Sequence, residues 1–164
     1  MPLDALLPEI AARYQKIRSG LDVGFNDEDV SQTLREFRGG VWMSLDARAS
    51  FPFEDAQFEV VVMNGSVVSR TIVREANRVL RPEGCLFFTV PEKTRRQPGG
   101  LTLPEIYRMI REGFDILSVR RPKWWFLRRK GRTLTVCARK KAWRERKGFL
   151  RGGALPFATF RSRG

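Results

Sequence analysis

Residues 51–90, FPFEDAQFEVVVMNGSVVSRTIVREANRVLRPEGCLFFTV, constrain the fold more than any other part of the chain. Val60, Val61 and Val62 form an unbroken apolar run of strand length, and Leu86, Phe87, Phe88 and Val90 form another. A strand without polar alternation needs cover on both faces, which a parallel sheet flanked by helices supplies. Between the two runs, Ile72, Val73, Ala76, Val79 and Leu80 recur at helical spacing, so one face of that helix can lie on the sheet. Pro82 and Gly84 are expected to stop it. Strand, crossover helix and strand make a right-handed parallel unit, which puts the chain in the α/β class.

Other periodicities extend this unit in both directions. A helix is expected over residues 8–18, with Pro8 in its first turn and Ile10, Tyr14 and Ile17 on one face. A short strand follows at 21–24. Asn26 or Asp27 can cap a second helix carrying Val30, Leu34 and Phe37, which ends at Gly39 and Gly40. Residues 41–45 read as a strand. Thr102 and Glu105 have capping-box spacing ahead of Ile106, Met109 and Ile110, and Gly113 closes that helix. Residues 114–119 and 133–138 read as a final strand pair. The chain is therefore divided into an α/β domain, 1–138, and a basic, loosely held tail, 139–164.

Three central motifs point to a family. Phe51-Pro52-Phe53, Phe58-Glu59-Val60-Val61 and Leu80-Arg81-Pro82-Glu83-Gly84 resemble the turn, strand and turn of class I S-adenosylmethionine (SAM) dependent methyltransferases of the type 11 kind. The resemblance spans residues 20–138. It implies a Rossmann-like, mostly parallel sheet flanked by helices and ending in an antiparallel hairpin, with SAM as cofactor and an unidentified methyl acceptor. Only one strand fits between Gly40 and Ala47, so a strand-helix unit of the usual pattern is expected to be absent.

The same resemblance implies a site at the carboxyl ends of the strands. Asp22 would hold the methionine ammonium of SAM, and Gly24 is the one retained glycine of the family's glycine-rich turn. Asn26 takes the second glycine position, where it tolerates a left-handed backbone, and Glu28 the third. Asn26, Asp27 and Glu28 also suit a helix N-terminus, and the two roles are compatible. Asp46 with Ala47 fits either the acid that binds the ribose hydroxyls or the later pair that contacts adenine. Asn64, after the FEVVV strand, falls at the same edge. The chain contains no histidine, which removes the commonest general base and metal ligand. Glu59, Asn64 and Glu92 are the nearest polar residues, with Glu59 expected to face a packed layer. No catalytic residue and no metal site are assigned.

Composition bears on partners and compartment. A chain of 164 residues can bury one core. Cys85 and Cys137 both fall in expected strands and read as reduced core residues, which points to a cytoplasmic location. No transmembrane segment or leader is expected. The net charge of +13 is unevenly placed: residues 120–164 hold 16 Lys or Arg and one acid, Glu145, whereas residues 1–119 hold 15 basic and 17 acidic residues. The basic region from Arg120 to Arg163 points to nucleic acid or an anionic membrane surface as partner. Within it, Lys123-Trp124-Trp125-Phe126-Leu127-Arg128-Arg129-Lys130 can stack bases or meet lipid, while alternation favours Trp124 and Phe126 as cover for the hairpin edge. The sequence thus supports a SAM-dependent methyltransferase. The alternative is a catalytically inactive methyltransferase-like module that binds RNA or another polyanion.

Overall fold

The computed structural model describes residues 2–25, 28–46, 50–95, 98–121 and 133–142. In chain order the elements are α1 (Pro2–Ala11), β1 (Ser19–Val23), α2 (Glu28–Arg38), β2 (Val41–Leu45), β3 (Phe58–Met63), α3 (Arg70–Val79), β4 (Leu80–Pro91), α4 (Leu103–Ile110), β5 (Phe114–Arg120) and β6 (Thr133–Lys140). They build one six-stranded sheet in the order β2-β1-β3-β4-β6-β5. The first four strands in that order are parallel, and β6 runs antiparallel to both β4 and β5. The α/β class and the terminal antiparallel hairpin are as the sequence predicts.

Both faces of the sheet are covered, which is why its central strands carry no polar alternation. Leu21, Val23, Val61, Met63, Leu86 and Phe88 pack with Ile72, Val73 and Ala76 of α3 and with Ile106 and Ile110 of α4. On the other face, Val60, Val62, Phe87 and Cys137 meet Leu6 and Ile10 of α1, Leu34 of α2 and Trp42. Cys85 and Cys137 are both free and buried. Among the described residues no helix is long and apolar enough to cross a membrane.

Two sequence expectations need correction. The opening helix is Pro2–Ala11, with Pro8 inside it, and not residues 8–18. The stripe that reaches the core is Leu6 and Ile10, one turn apart and both fully buried. Ile17 is buried from the segment leading into β1, where its N–H donates to Arg38 O at 3.1 Å. The second correction lies at the end of α3. The helix stops at Val79 and the chain is already extended at Leu80 (φ −72, ψ 139), so Pro82 and Gly84 lie within β4 and not in a separate turn. Register absorbs them: Leu80 pairs with Phe58 and Cys85 with Val60, leaving a bulge between, in which Glu83 takes φ 65.

Candidate functional site

The carboxyl ends of β1, β2 and β3 lie side by side, about 4.8 Å between neighbours. Parallel register sets Asp22 against Ser44 and against Val62. Asp22 is 1% exposed, and the Ser44 hydroxyl donates to its Oδ2 at 2.6 Å. Burying a carboxylate this deeply requires such charge-assisted partners. The chain turns just beyond: Gly24 N–H donates to Leu45 O at 2.8 Å and Asn64 N–H to Val23 O at 3.0 Å, so all three strand ends are stitched together.

Two glycines permit this stitching. Gly24 has φ 75, and a Cβ there would lie 2.5 Å from a methyl of Val67. Gly65 begins a single 3-10 turn, Gly65–Val67, that presses on β4; a Cβ there would lie 1.7 Å from Thr89 O. Only a residue without a side chain fits either position.

Of the six residues expected at the site, four come together on this rim: Asp22, Gly24, Asp46, exposed directly after β2, and Asn64, half-buried after β3. Asn26 and Ala47 lie outside the described residues. Ser44 was not singled out by its own sequence context; strand register puts it opposite Asp22. The close approach of Gly65 to β4 is a tertiary contact that no local sequence signal reports. Glu59 is displaced from the group: it lies at the amino end of β3, where Oε2 accepts from Arg18 N–H at 2.8 Å and Oε1 faces Arg81 at 3.6 Å.

Glu92, just past β4, is held by Arg121 through two guanidinium hydrogen bonds at 3.1 and 2.5 Å. That pairing raises the Arg121 pKa and engages Glu92 in a bidentate ion pair. The strongest thiol and phenol perturbations lie elsewhere, inside the α1 face. There the Cys85 thiol is lowered to about 7 by its hydrogen bond with Cys137, Cys137 is pushed up by the same pairing, and burial raises the Tyr14 phenol. Cys85 pairs with Val60 near the amino end of β3, so this cluster stands away from the carboxyl rim.

The fold has known counterparts. Residues 8–88 match the family described as Methyltransferase domain. The match ends within β4 and spans 81 of the 164 residues, just under half of the chain. Solved structures of similar fold include 1,6-didemethyltoxoflavin-N1-methyltransferase from Burkholderia thailandensis, with S-adenosylhomocysteine bound (18% identity, TM-score 0.64, 85% of this chain and 77% of that one covered). A SAM-dependent methyltransferase from Aquifex aeolicus is 14% identical, with TM-score 0.65 and 84% and 88% covered. The [4+2]-cyclase SpnF is 17% identical, with TM-score 0.66 and 85% and 81% covered. At these identities the likeness is one of fold, and the cyclase illustrates that a shared methyltransferase fold does not fix the reaction. No curated protein matches the chain. Of the six strands, β2 is the edge on the β1 side. The short interval between Gly40 and Ala47 accordingly holds one strand.

Proposed function

We propose that the chain binds SAM on the rim formed by β1, β2 and β3 and transfers its methyl group to an acceptor. The observation that carries this reading is the convergence of Asp22, Gly24, Asp46 and Asn64 on adjacent carboxyl ends of a sheet whose fold is that of solved methyltransferases. The residues fit the cofactor chemically. Asp22 and Asp46 supply carboxylates for an ammonium and for ribose hydroxyls, and Gly24 brings the backbone close without a side chain. Asn26 and Ala47 complete the proposed set. Asp46 follows the strand beside β1, which supports the ribose assignment over the adenine one.

When bound, SAM supplies an electrophilic methyl group on a sulfonium. The chain's part is to orient the two reactants and exclude water, contributions that can carry much of a methyl transfer. With no histidine in the chain, an acceptor whose nucleophile is unprotonated at neutral pH fits best. The basic region of residues 120–163 supports a polyanionic partner, nucleic acid or an anionic membrane surface. Buried free thiols at Cys85 and Cys137 accord with a cytoplasmic location.

Calorimetry with S-adenosylhomocysteine tests the reading, with thermal shift as a second readout. Ligand at 100 times its dissociation constant should stabilise the fold by about 2.7 kcal/mol. No heat and no shift at millimolar ligand would reject it. That result would leave the inactive, polyanion-binding alternative, which the side chains of Asn26 and Glu28 at glycine positions favour.

A further inference from the structure

Asp22 stands one residue before the end of β1, and its two register partners differ in kind: Val62 on β3 is apolar and fully buried, whereas Ser44 on β2 is polar. The acid and the alcohol also differ in access. Asp22 is 1% exposed, while Ser44, on the edge strand, is exposed. The Ser44 hydroxyl donates to Asp22 Oδ2 at 2.6 Å, the length of a charge-assisted bond to a carboxylate. A molecule arriving at this part of the rim from solvent therefore meets Ser44 before Asp22.

That order has a chemical consequence. A hydroxyl carries one proton and two acceptor lone pairs. With its proton directed to Asp22, Ser44 Oγ can meet a ligand only as an acceptor. Hydrogen bonds in a chain polarise one another, so the carboxylate behind it makes that oxygen a stronger acceptor than an isolated serine would be. The apolar Val62 on the far side of Asp22 keeps the local dielectric low, which strengthens the effect. The strands are fixed against each other just beyond the pair, where Gly24 N–H donates to Leu45 O at 2.8 Å. Asp46 follows two residues later, about 7 Å farther along the chain, so one ligand can reach both.

Resting on the cofactor site proposed above, we infer that Ser44 is a binding residue of that site, its hydroxyl oxygen accepting from the ammonium of the cofactor's amino-acid part. The buried Asp22 acts through it as the positioning residue: it orients the hydroxyl and supplies the negative charge. Ser44 thereby reads the amino-acid end of the ligand and is indifferent to the adenosine end. A Ser44 that served only to satisfy Asp22 would affect both ends alike, through the geometry of the rim.

The test is calorimetry on the full chain with two ligands, S-adenosylhomocysteine and 5′-methylthioadenosine, the second keeping the adenosine and thioether but lacking the amino acid. Ser44→Ala should weaken S-adenosylhomocysteine by about tenfold or more, the range of a hydrogen bond to a charged group, and leave methylthioadenosine unchanged. Ser44→Thr, which keeps the hydroxyl, should restore the affinity. Ser44→Cys fills the same space with a poor acceptor, so it should lose affinity while circular dichroism shows the fold intact, which keeps the test open if Ser44→Ala leaves Asp22 too poorly satisfied to fold. Asp22→Asn combined with Ser44→Ala should bind no more weakly than the worse single variant, because the two side chains act as one unit. Unchanged S-adenosylhomocysteine affinity in the Ala and Cys variants, equal losses for the two ligands, or additive effects in the double variant would overturn the inference while leaving the cofactor reading standing. If the natural chain binds neither ligand, the cofactor reading itself fails and the inference with it.

Discussion

A carboxylate that is 1% exposed needs partners, and Asp22 has one in the Ser44 hydroxyl at 2.6 Å. The pair belongs to two strands whose register was not readable from either sequence segment alone. If Asp22 holds the cofactor's ammonium, Asp22→Ala should weaken S-adenosylhomocysteine binding by about tenfold to a hundredfold, the range of a hydrogen bond to a charged group. Asp46→Ala, at an exposed position, should weaken it by about tenfold at most. Calorimetry reads both, and unchanged affinity in the pair would place the site elsewhere. Gly24 is a test of the scaffold beneath them. A side chain there meets a left-handed backbone and a methyl of Val67 at 2.5 Å. Gly24→Ala is therefore expected to lose about 2 kcal/mol in urea denaturation, and to weaken cofactor binding because Gly24 N–H anchors Leu45 O.

At the scale of elements, α3 fastens the crossover that joins β2 to β3. The Arg78 guanidinium donates to Phe53 O at 2.7 Å, Phe51 O at 2.9 Å, Asp55 Oδ1 at 2.8 Å and Glu75 Oε2 at 2.9 Å. Phe51 is thereby held in the core, and Phe53 sits edge-on to Phe58 with centroids 5.0 Å apart. Arg78 also holds the Glu75 carboxyl below its ordinary range, with help from Phe51 N–H. A depressed folded pKa contributes stability above the unfolded value of about 4.3 and loses it as pH falls through the folded value. Arg78→Ala should lower stability by about 2 kcal/mol at pH 7 and flatten the acid limb of a stability-against-pH curve; an unchanged limb would mean that Glu75 owes its shift to other groups. The α4 cap was legible in advance. Thr102 and Glu105 form both halves of the box, with Thr102 N–H donating to Glu105 Oε2 at 2.7 Å.

Across the whole molecule, the charge of residues 120–164 is +15 against −2 for the rest, so the chain is an acidic-leaning domain with one strongly cationic end region. The anchors of β6 are complete by Lys141, whose N–H donates to Gly113 O. Deleting residues 143–164 should therefore leave the circular dichroism spectrum and the melting temperature near those of the full chain. It should also reduce polyanion affinity and its salt slope, since each lost phosphate contact lowers that slope by about 0.7 to 0.9. A truncated chain that binds as tightly at low salt would show that the tail contributes nothing.

By itself the sequence determined the elements whose signals are local. Apolar runs at Val60–Val62 and Leu86–Phe88 can only be buried strands, helical spacing over 72–79 can only face them, and the Thr102 cap follows from two residues three apart. It also identified Asp22, Gly24, Asp46 and Asn64 as strand-end residues. Where competing local signals met, it misplaced boundaries: Pro8 suggested a helix start, and Pro82 with Gly84 a helix stop outside any strand. Tertiary structure settled those points, because burial of Leu6 and Ile10 and pairing of Leu80 with Phe58 outweigh the preference of a single proline. Strand order and register, which set Asp22 beside Ser44, depend on contacts distant in sequence and become definite only when the sheet closes.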